Sequence, residues 1–244
     1  MPAALVRKRR FRTIAARENY VAVMSTISKN FQKRKSDARR QSLINATLKV
    51  IATEGVAAAT VRTIAREANV TQGLIRYYFQ SKDDLIVAAY DAHMSDMLNL
   101  AGEAMQGAGT AKCRLIRYIE ATLKPPVTTR QQVGTWAGFF QILLHDDHMI
   151  RQHTKTYHEL RLQTKTLIAD VYAEEGVSKS DSELRRLSIA GSALLDGLWI
   201  EGGAISETFH PGELFRVGLE SFGALIDVDL KGFRDAKQGC GEDS

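Results

Sequence analysis

The stretch from Thr60 to Phe79, TVRTIAREANVTQGLIRYYF, constrains the fold more than any other part of the chain. Two apolar stripes at helical spacing, separated by a short break, predict two short helices joined by a tight turn. Val61, Ile64, Ala65 and Ala68 fall at i, i+3, i+4 and i+7, one face of a helix whose N-cap is Thr60. Arg62, Arg66 and Glu67 are left on the wet side. Asn69 and Val70 interrupt the pattern, and Thr71 caps a second helix in which Leu74, Ile75, Tyr78 and Phe79 point inward. Gln72, Gly73, Arg76 and Tyr77 share the opposite face.

That outer face is unusual for a solvated helix: an amide, a glycine that permits close approach, a guanidinium and a phenol lie within two turns. Such groups suit a DNA groove. Arg bonds guanine edges through two donors, Gln does the same to adenine, and a tyrosine hydroxyl reaches phosphate oxygens. The pairing reads as a helix-turn-helix whose second helix enters the major groove. Spacing alone also fits an ordinary helical hairpin in a larger bundle, so the flanking residues decide.

Those flanks extend the pattern on both sides. RRQSLINATLKVIATEG, Arg39 to Gly55, is a helix with Ile44, Leu48 and Ile51 along one side and Gly55 as its stop. TVRTIA follows, then V-T-x-G-x-x-x-x-Y-F from Val70 to Phe79, then SKDDL from Ser81 to Leu85. Ser81 caps a fourth helix, Asp84 completes a capping box three residues on, and Lys82 sits in the first turn, able to donate to a phosphate. In order and spacing these motifs resemble the TetR family of bacterial regulators. The resemblance implies phosphate contacts from Thr60, Tyr77, Tyr78 and Lys82, and base contacts from Arg62, Thr63, Gln72, Gly73 and Arg76. Tyr78 also has the spacing of a core residue. Arg76 departs from the family pattern, which more often has tyrosine there, and an arginine favours guanine.

With 244 residues, 44% of them hydrophobic, and only four prolines, the chain can bury a sizeable core. Strand-like alternation is nearly absent, so the expected fold is all-α. We expect a basic arm over 1–35, an N-terminal three-helix helix-turn-helix domain over 36–82, a helical-bundle ligand-binding and dimerisation domain over 83–230, and a flexible tail over 231–244. The first forty residues hold twelve Lys and Arg against Glu18 and Asp37, a net of +10, which leaves −5 for the rest of a chain whose total is +5. A basic leading end on an acidic body suggests contact with nucleic acid at one end only. Three readings of the arm stand open: a DNA-contacting extension, an organellar transit peptide, and translated upstream sequence before a start at Met24.

Cys113 and Cys240 read as free thiols of a cytoplasmic protein, and no apolar run is long enough to span a membrane. His145, His148, His153 and His158 lack the companions of a metal site and read as surface residues. No nucleophile elbow, phosphate loop or paired carboxylate suggests an enzyme, and no cofactor is implied.

The fourth helix, with its apolar set beginning at Leu85, is expected to continue to about Met105, and further helices are expected from Ala111 to Leu123, over Arg130 to His145, over His148 to Glu175, from Ser180 or Asp181 onward, and from Pro211. Helix six carries Val133, Trp136, Ala137, Phe140, Leu143 and Leu144 on one side, with Phe139 adjacent. Helix eight is rich in small residues, Ala190, Gly191, Ser192, Ala193 and Gly197, which permit close approach by another helix. In helix nine Phe215, Leu219, Phe222 and Ile226 form a stripe. The family resemblance implies a homodimer through helices eight and nine, matching a palindromic operator.

W-x-x-F-F at Trp136 to Phe140 and LLDGLWI at Leu194 to Ile200 resemble the BetI-type members of that family, which repress choline and glycine betaine genes. The resemblance implies a choline-like effector. Aromatic faces with a carboxylate hold a quaternary ammonium by ring quadrupoles, and Tyr118, Trp136, Phe139, Phe140, Asp196 and Trp199 are the candidates; the same stripe also fits a plain core. The expected function is a ligand-responsive, dimeric DNA-binding repressor. An activator of the same fold and a non-specific architectural DNA-binding protein are the alternatives.

Overall fold

A computed structural model of the chain describes residues 31–106 and 109–230. The described residues are helical throughout, without strands. In order they form α1 (31–54), α2 (Val61–Glu67), α3 (Gln72–Tyr78), α4 (Lys82–Met105), α5 (Ala111–Leu123), α6 (Arg130–Leu143), α7 (Asp147–Glu174), α8 (Asp181–Ala204) and α9 (Glu213–Ile226).

Local sequence sets the starts of these helices. Each from α2 to α8 follows a Thr, Ser or Asp whose side chain accepts from the amide three residues on. Each such cap is worth about 1 kcal/mol. In α2, α4 and α8 the bond is reciprocated by Thr63, Asp84 and Glu183. Helix α9 begins differently: Gly212, at φ 74°, turns the chain through the left-handed region after Pro211, so the helix opens at Glu213 rather than at the proline.

Two cores share the molecule. The first gathers Leu43, Ile44 and Ile51 of α1, Ile64 of α2, Ile75 of α3 and Leu85 to Tyr90 of α4, closed by Phe139 and Leu143 of α6 and Met149 of α7. The second joins α5, the far half of α7, α8 and α9 around Leu115, Ile119, Ile168, Val171 and Phe222. Trp136 packs against both. The small helices are thus seated on the body, and Gly138 makes part of that seat: a Cβ there would stand 3.1 Å from Ile51 Cγ2.

Several expectations change. Residues 31–35, assigned to the arm, are already helical; nothing in FQKRK breaks a helix, and Lys, Arg and Gln favour one. The rest of the arm and the tail lie outside the described residues. On α6 the inward stripe is Thr135, Phe139 and Leu143, whereas Phe140 and Leu144 are exposed, because the helix must fill the first core at its C-terminal half. Leu219, Phe222 and Ile226 of α9 are spent inside the protomer's own core. His153 is half-buried, held by the Tyr90 hydroxyl at 2.8 Å, not a surface residue. Cys113 is disulfide-bonded rather than a free thiol, and Cys240, the chain's other cysteine, lies outside the described residues.

Candidate nucleic-acid interface and effector cavity

The turn between α2 and α3 depends on Asn69, which takes φ 52°, and on the Val70 amide, which donates to Ala65 O at 2.9 Å. Asparagine tolerates that left-handed position better than most residues. With Ile64, Ile75 and Phe79 buried, the turn leaves Arg62, Gln72, Gly73, Arg76 and Tyr77 facing solvent together, with Thr60 and Lys82 exposed at neighbouring helix starts. Tyr77 is 79% exposed, a large cost for a phenol ring without a partner surface, and rests edge-on against Tyr78 at 5.1 Å. Tyr78 itself is half-buried against the first core. At Gly73 a Cβ would approach nothing closer than Thr71 Oγ1, 3.9 Å away, so internal packing does not require glycine there. Thr63 differs from its neighbours: its hydroxyl accepts from the Thr60 amide at 2.9 Å and donates to Ala58 O, so it shapes the start of α2.

In the body, a cavity of about 60 Å³ lies between α4, α5, α6, α7 and α8. That is space for about four to six water-sized groups. Tyr118, Trp136, Asp196 and Trp199 line it, as do Tyr157 and Ser192 and the methionines Met94 and Met97. Trp136 and Trp199 meet edge to face at 5.8 Å, and Phe140 stacks on the outer side of Trp136 at 4.9 Å. Phe140 therefore lines an open outer cleft, with His153 and Arg161, rather than the inner cavity; Trp136, Tyr157 and Asp196 stand between the two. Phe139 joins neither: it is buried in the first core against Tyr90, with ring centres 5.4 Å apart.

The polar groups of the cavity are mostly fixed by the protein itself. Trp199 Nε1 donates to Val127 O at 2.9 Å. Thr164 gives its hydrogen to Leu160 O, so the Tyr118 hydroxyl, 3.2 Å away, donates to Thr164, and burial pushes that phenol up to about 12. The Tyr157 hydroxyl lies near both the Trp136 indole and the Asp196 carboxyl, and all three residues line the cavity. Burial raises the Asp196 carboxyl to about 6, opposed by the Tyr157 hydroxyl and the Arg161 guanidinium. The Arg161 guanidinium carbon lies 5.8 Å from the centre of the Tyr157 ring. Tyr157 was not among the residues expected here; its recurrence with His153 and Arg161 every four residues along α7 was the available signal.

The comparisons with known proteins bear on both ends of the molecule. The family model for bacterial regulatory proteins of the tetR family matches residues 43–89, and that for the BetI-type transcriptional repressor C-terminal domain matches residues 111–226. A putative transcriptional regulator from Pseudomonas aeruginosa PAO1 superposes with a TM-score of 0.72 at 30% identity, over 81% of this chain and 95% of that one. The chain belongs to the TetR family. This TetR-family chain is also 26% identical, over 74% of its length and 90% of the relative's, to the HTH-type transcriptional regulator BetI of Paraburkholderia phytofirmans. A putative transcriptional regulator from Saccharomonospora viridis, solved in complex with choline, has the same fold with a TM-score of 0.62 at 19% identity, covering 78% and 96% of the two chains. Its relatives being regulators, the protein is a BetI-type, DNA-binding transcriptional regulator and not an enzyme. Among the described residues, no helix is long and apolar enough to cross a membrane, and no cluster of His, Cys, Asp and Glu suits a metal ion.

Proposed function

We propose that this TetR-family regulator is a cytoplasmic, homodimeric repressor that binds a palindromic operator and releases it on taking up a choline-like cation, in control of choline or glycine betaine metabolism. The observation that carries the effector reading is a single carboxylate, Asp196, set in a cavity walled by Trp136, Trp199, Tyr118 and Tyr157. Rings offer negative faces to a cation that cannot form hydrogen bonds, and the carboxylate supplies the counter-charge. The choline complex of the S. viridis neighbour gives the reading support from outside.

On DNA, Arg62, Gln72, Gly73 and Arg76 read base edges, while Thr60, Tyr77, Tyr78 and Lys82 hold phosphates. Thr63 positions α2 through its cap as well as lying beside the groove. The dimer forms through α8 and α9. With the α9 stripe committed to the protomer, the partner meets the exposed small residues Ala190, Ala193 and Gly197 of α8 and Val217 of α9.

A footprint of the purified protein on DNA upstream of its own gene, at near-physiological salt, tests the reading. A protected inverted repeat, lost on adding choline, is the expected result. Uniform, salt-sensitive coverage points instead to an architectural DNA-binding protein. A repeat that choline leaves protected removes choline as the effector, and lower target expression on deleting the gene identifies an activator.

A further inference from the structure

Ser192 stands apart from the other polar groups of the cavity. It is 4% exposed, lines the cavity, and its Oγ has no hydrogen-bond partner. Buried hydroxyls on helices ordinarily return to a carbonyl one turn back, as Ser188 does to Arg185 O at 2.9 Å and Thr164 to Leu160 O at 3.0 Å. Ser192 does not. Elsewhere in the wall the hydroxyls of Tyr118 and Thr122 and the indole N–H of Trp199 are engaged within the protein. A buried polar atom left alone in a functional cavity is where a ligand atom is expected.

Its placement narrows the ligand. Ser192 and Asp196 are four residues apart on α8, so both side chains leave the same face, with Cβ atoms roughly 5–6 Å apart. On the reading that the cavity takes a cationic effector, we infer that the effector is an ammonium compound carrying a neutral oxygen, and that Ser192 Oγ is the group that binds this oxygen while Asp196 faces the cation. A carboxylate in that place would lie beside the Asp196 carboxylate in a low-dielectric cavity with one hydroxyl to hold it, which is unfavourable. The class is therefore amino alcohols and their neutral carbonyl counterparts, not ammonium carboxylates.

The chain's two tryptophans both line this cavity, so intrinsic fluorescence of the full-length protein reports its occupation. Choline and n-propyltrimethylammonium, which replaces the hydroxyl by a methyl group, are titrated against the parent and Ser192→Ala. The parent is expected to prefer choline about tenfold, the equivalent of one neutral hydrogen bond. In Ser192→Ala the ratio is expected to fall to within about twofold of unity, with the affinity for n-propyltrimethylammonium unchanged. A parent-like preference in Ser192→Ala, or equal loss of both ligands, overturns the assignment of Ser192. Failure of both ligands to bind the folded parent overturns the effector reading and the inference together. Ser192→Cys, which stays small and weakens the donor, is judged by the same ratio if Ser192→Ala does not fold.

Discussion

A quaternary ammonium does not titrate, so the pH dependence of its binding must come from the residues around it. Asp196 is the one charged side chain in the cavity wall, and burial holds its carboxyl at about 6. Above that pH the carboxylate is present; below it the cavity becomes neutral. Choline affinity is therefore expected to be flat above about pH 7 and to fall about tenfold per unit below pH 6. Asp196→Asn is expected to bind weakly and without this slope, in the same fluorescence titration. A parent whose affinity does not change between pH 7 and 5 would remove Asp196 as the counter-ion. Across the exposed face of α3 and the start of α4 the residues separate into two kinds. Arg76→Ala is expected to cost about 1–3 kcal/mol and to relax base preference at one position, whereas Lys82→Ala weakens every sequence alike and lowers the salt slope by about one. Anisotropy on operator variants at two salt concentrations measures both, and equal loss of discrimination from the two substitutions counts against these roles.

At the scale of helices, α8 carries two kinds of glycine. A Cβ at Gly203 would stand 2.4 Å from Val133 Cγ2 and 2.9 Å from Thr129 O, where part of the obstacle is backbone that cannot rotate away. Gly203→Ala is expected to cost about 1–3 kcal/mol in urea unfolding by forcing α6 from α8. Because Trp136 and Trp199 ride on those helices, choline affinity falls with it. Much of this architecture was legible in the sequence, since caps such as Thr60, Thr71, Ser81 and Ser180 are local signals and each does start a helix. Facing is a different matter. On α6 the run Trp136 to Phe140 is apolar nearly all round, so periodicity could not tell that Phe139 serves the first core and Phe140 the outer cleft. Tyr157 meets Asp196 across 39 positions of sequence, from a helix that reads as polar, and no local pattern encodes such a meeting. Two cysteines far apart in sequence likewise read as free thiols, whereas Cys113 is disulfide-bonded.

For the whole molecule, the other glycine matters. A Cβ at Gly197 meets nothing within 4 Å in the protomer, yet glycine in mid-helix costs about 1 kcal/mol relative to alanine. In the proposed dimer, a partner helix lying close at that point would account for it. Gly197→Leu is expected to leave helical circular dichroism unchanged while shifting dimer to monomer in sedimentation velocity and weakening operator binding; a variant that stays dimeric at the same concentrations places the interface elsewhere. If effector and operator exclude each other tenfold, about 1.4 kcal/mol must pass between the cavity and the recognition helices, equally in both directions. Helix α4 runs from one to the other: its N-terminus is pinned by Ser81 beside α3, and Met94 and Met97 reach the cavity. From Lys82 to Met97 it measures about 22 Å, so a swing of about 5° at the cavity displaces its far end by about 2 Å. In a symmetric pair that displacement is doubled, against a half-site spacing of about 34 Å. Regulation by such a lever is a question of bearing: a few small groups admitted to the cavity need unfold nothing, only turn two pointers slightly off the marks they were set to.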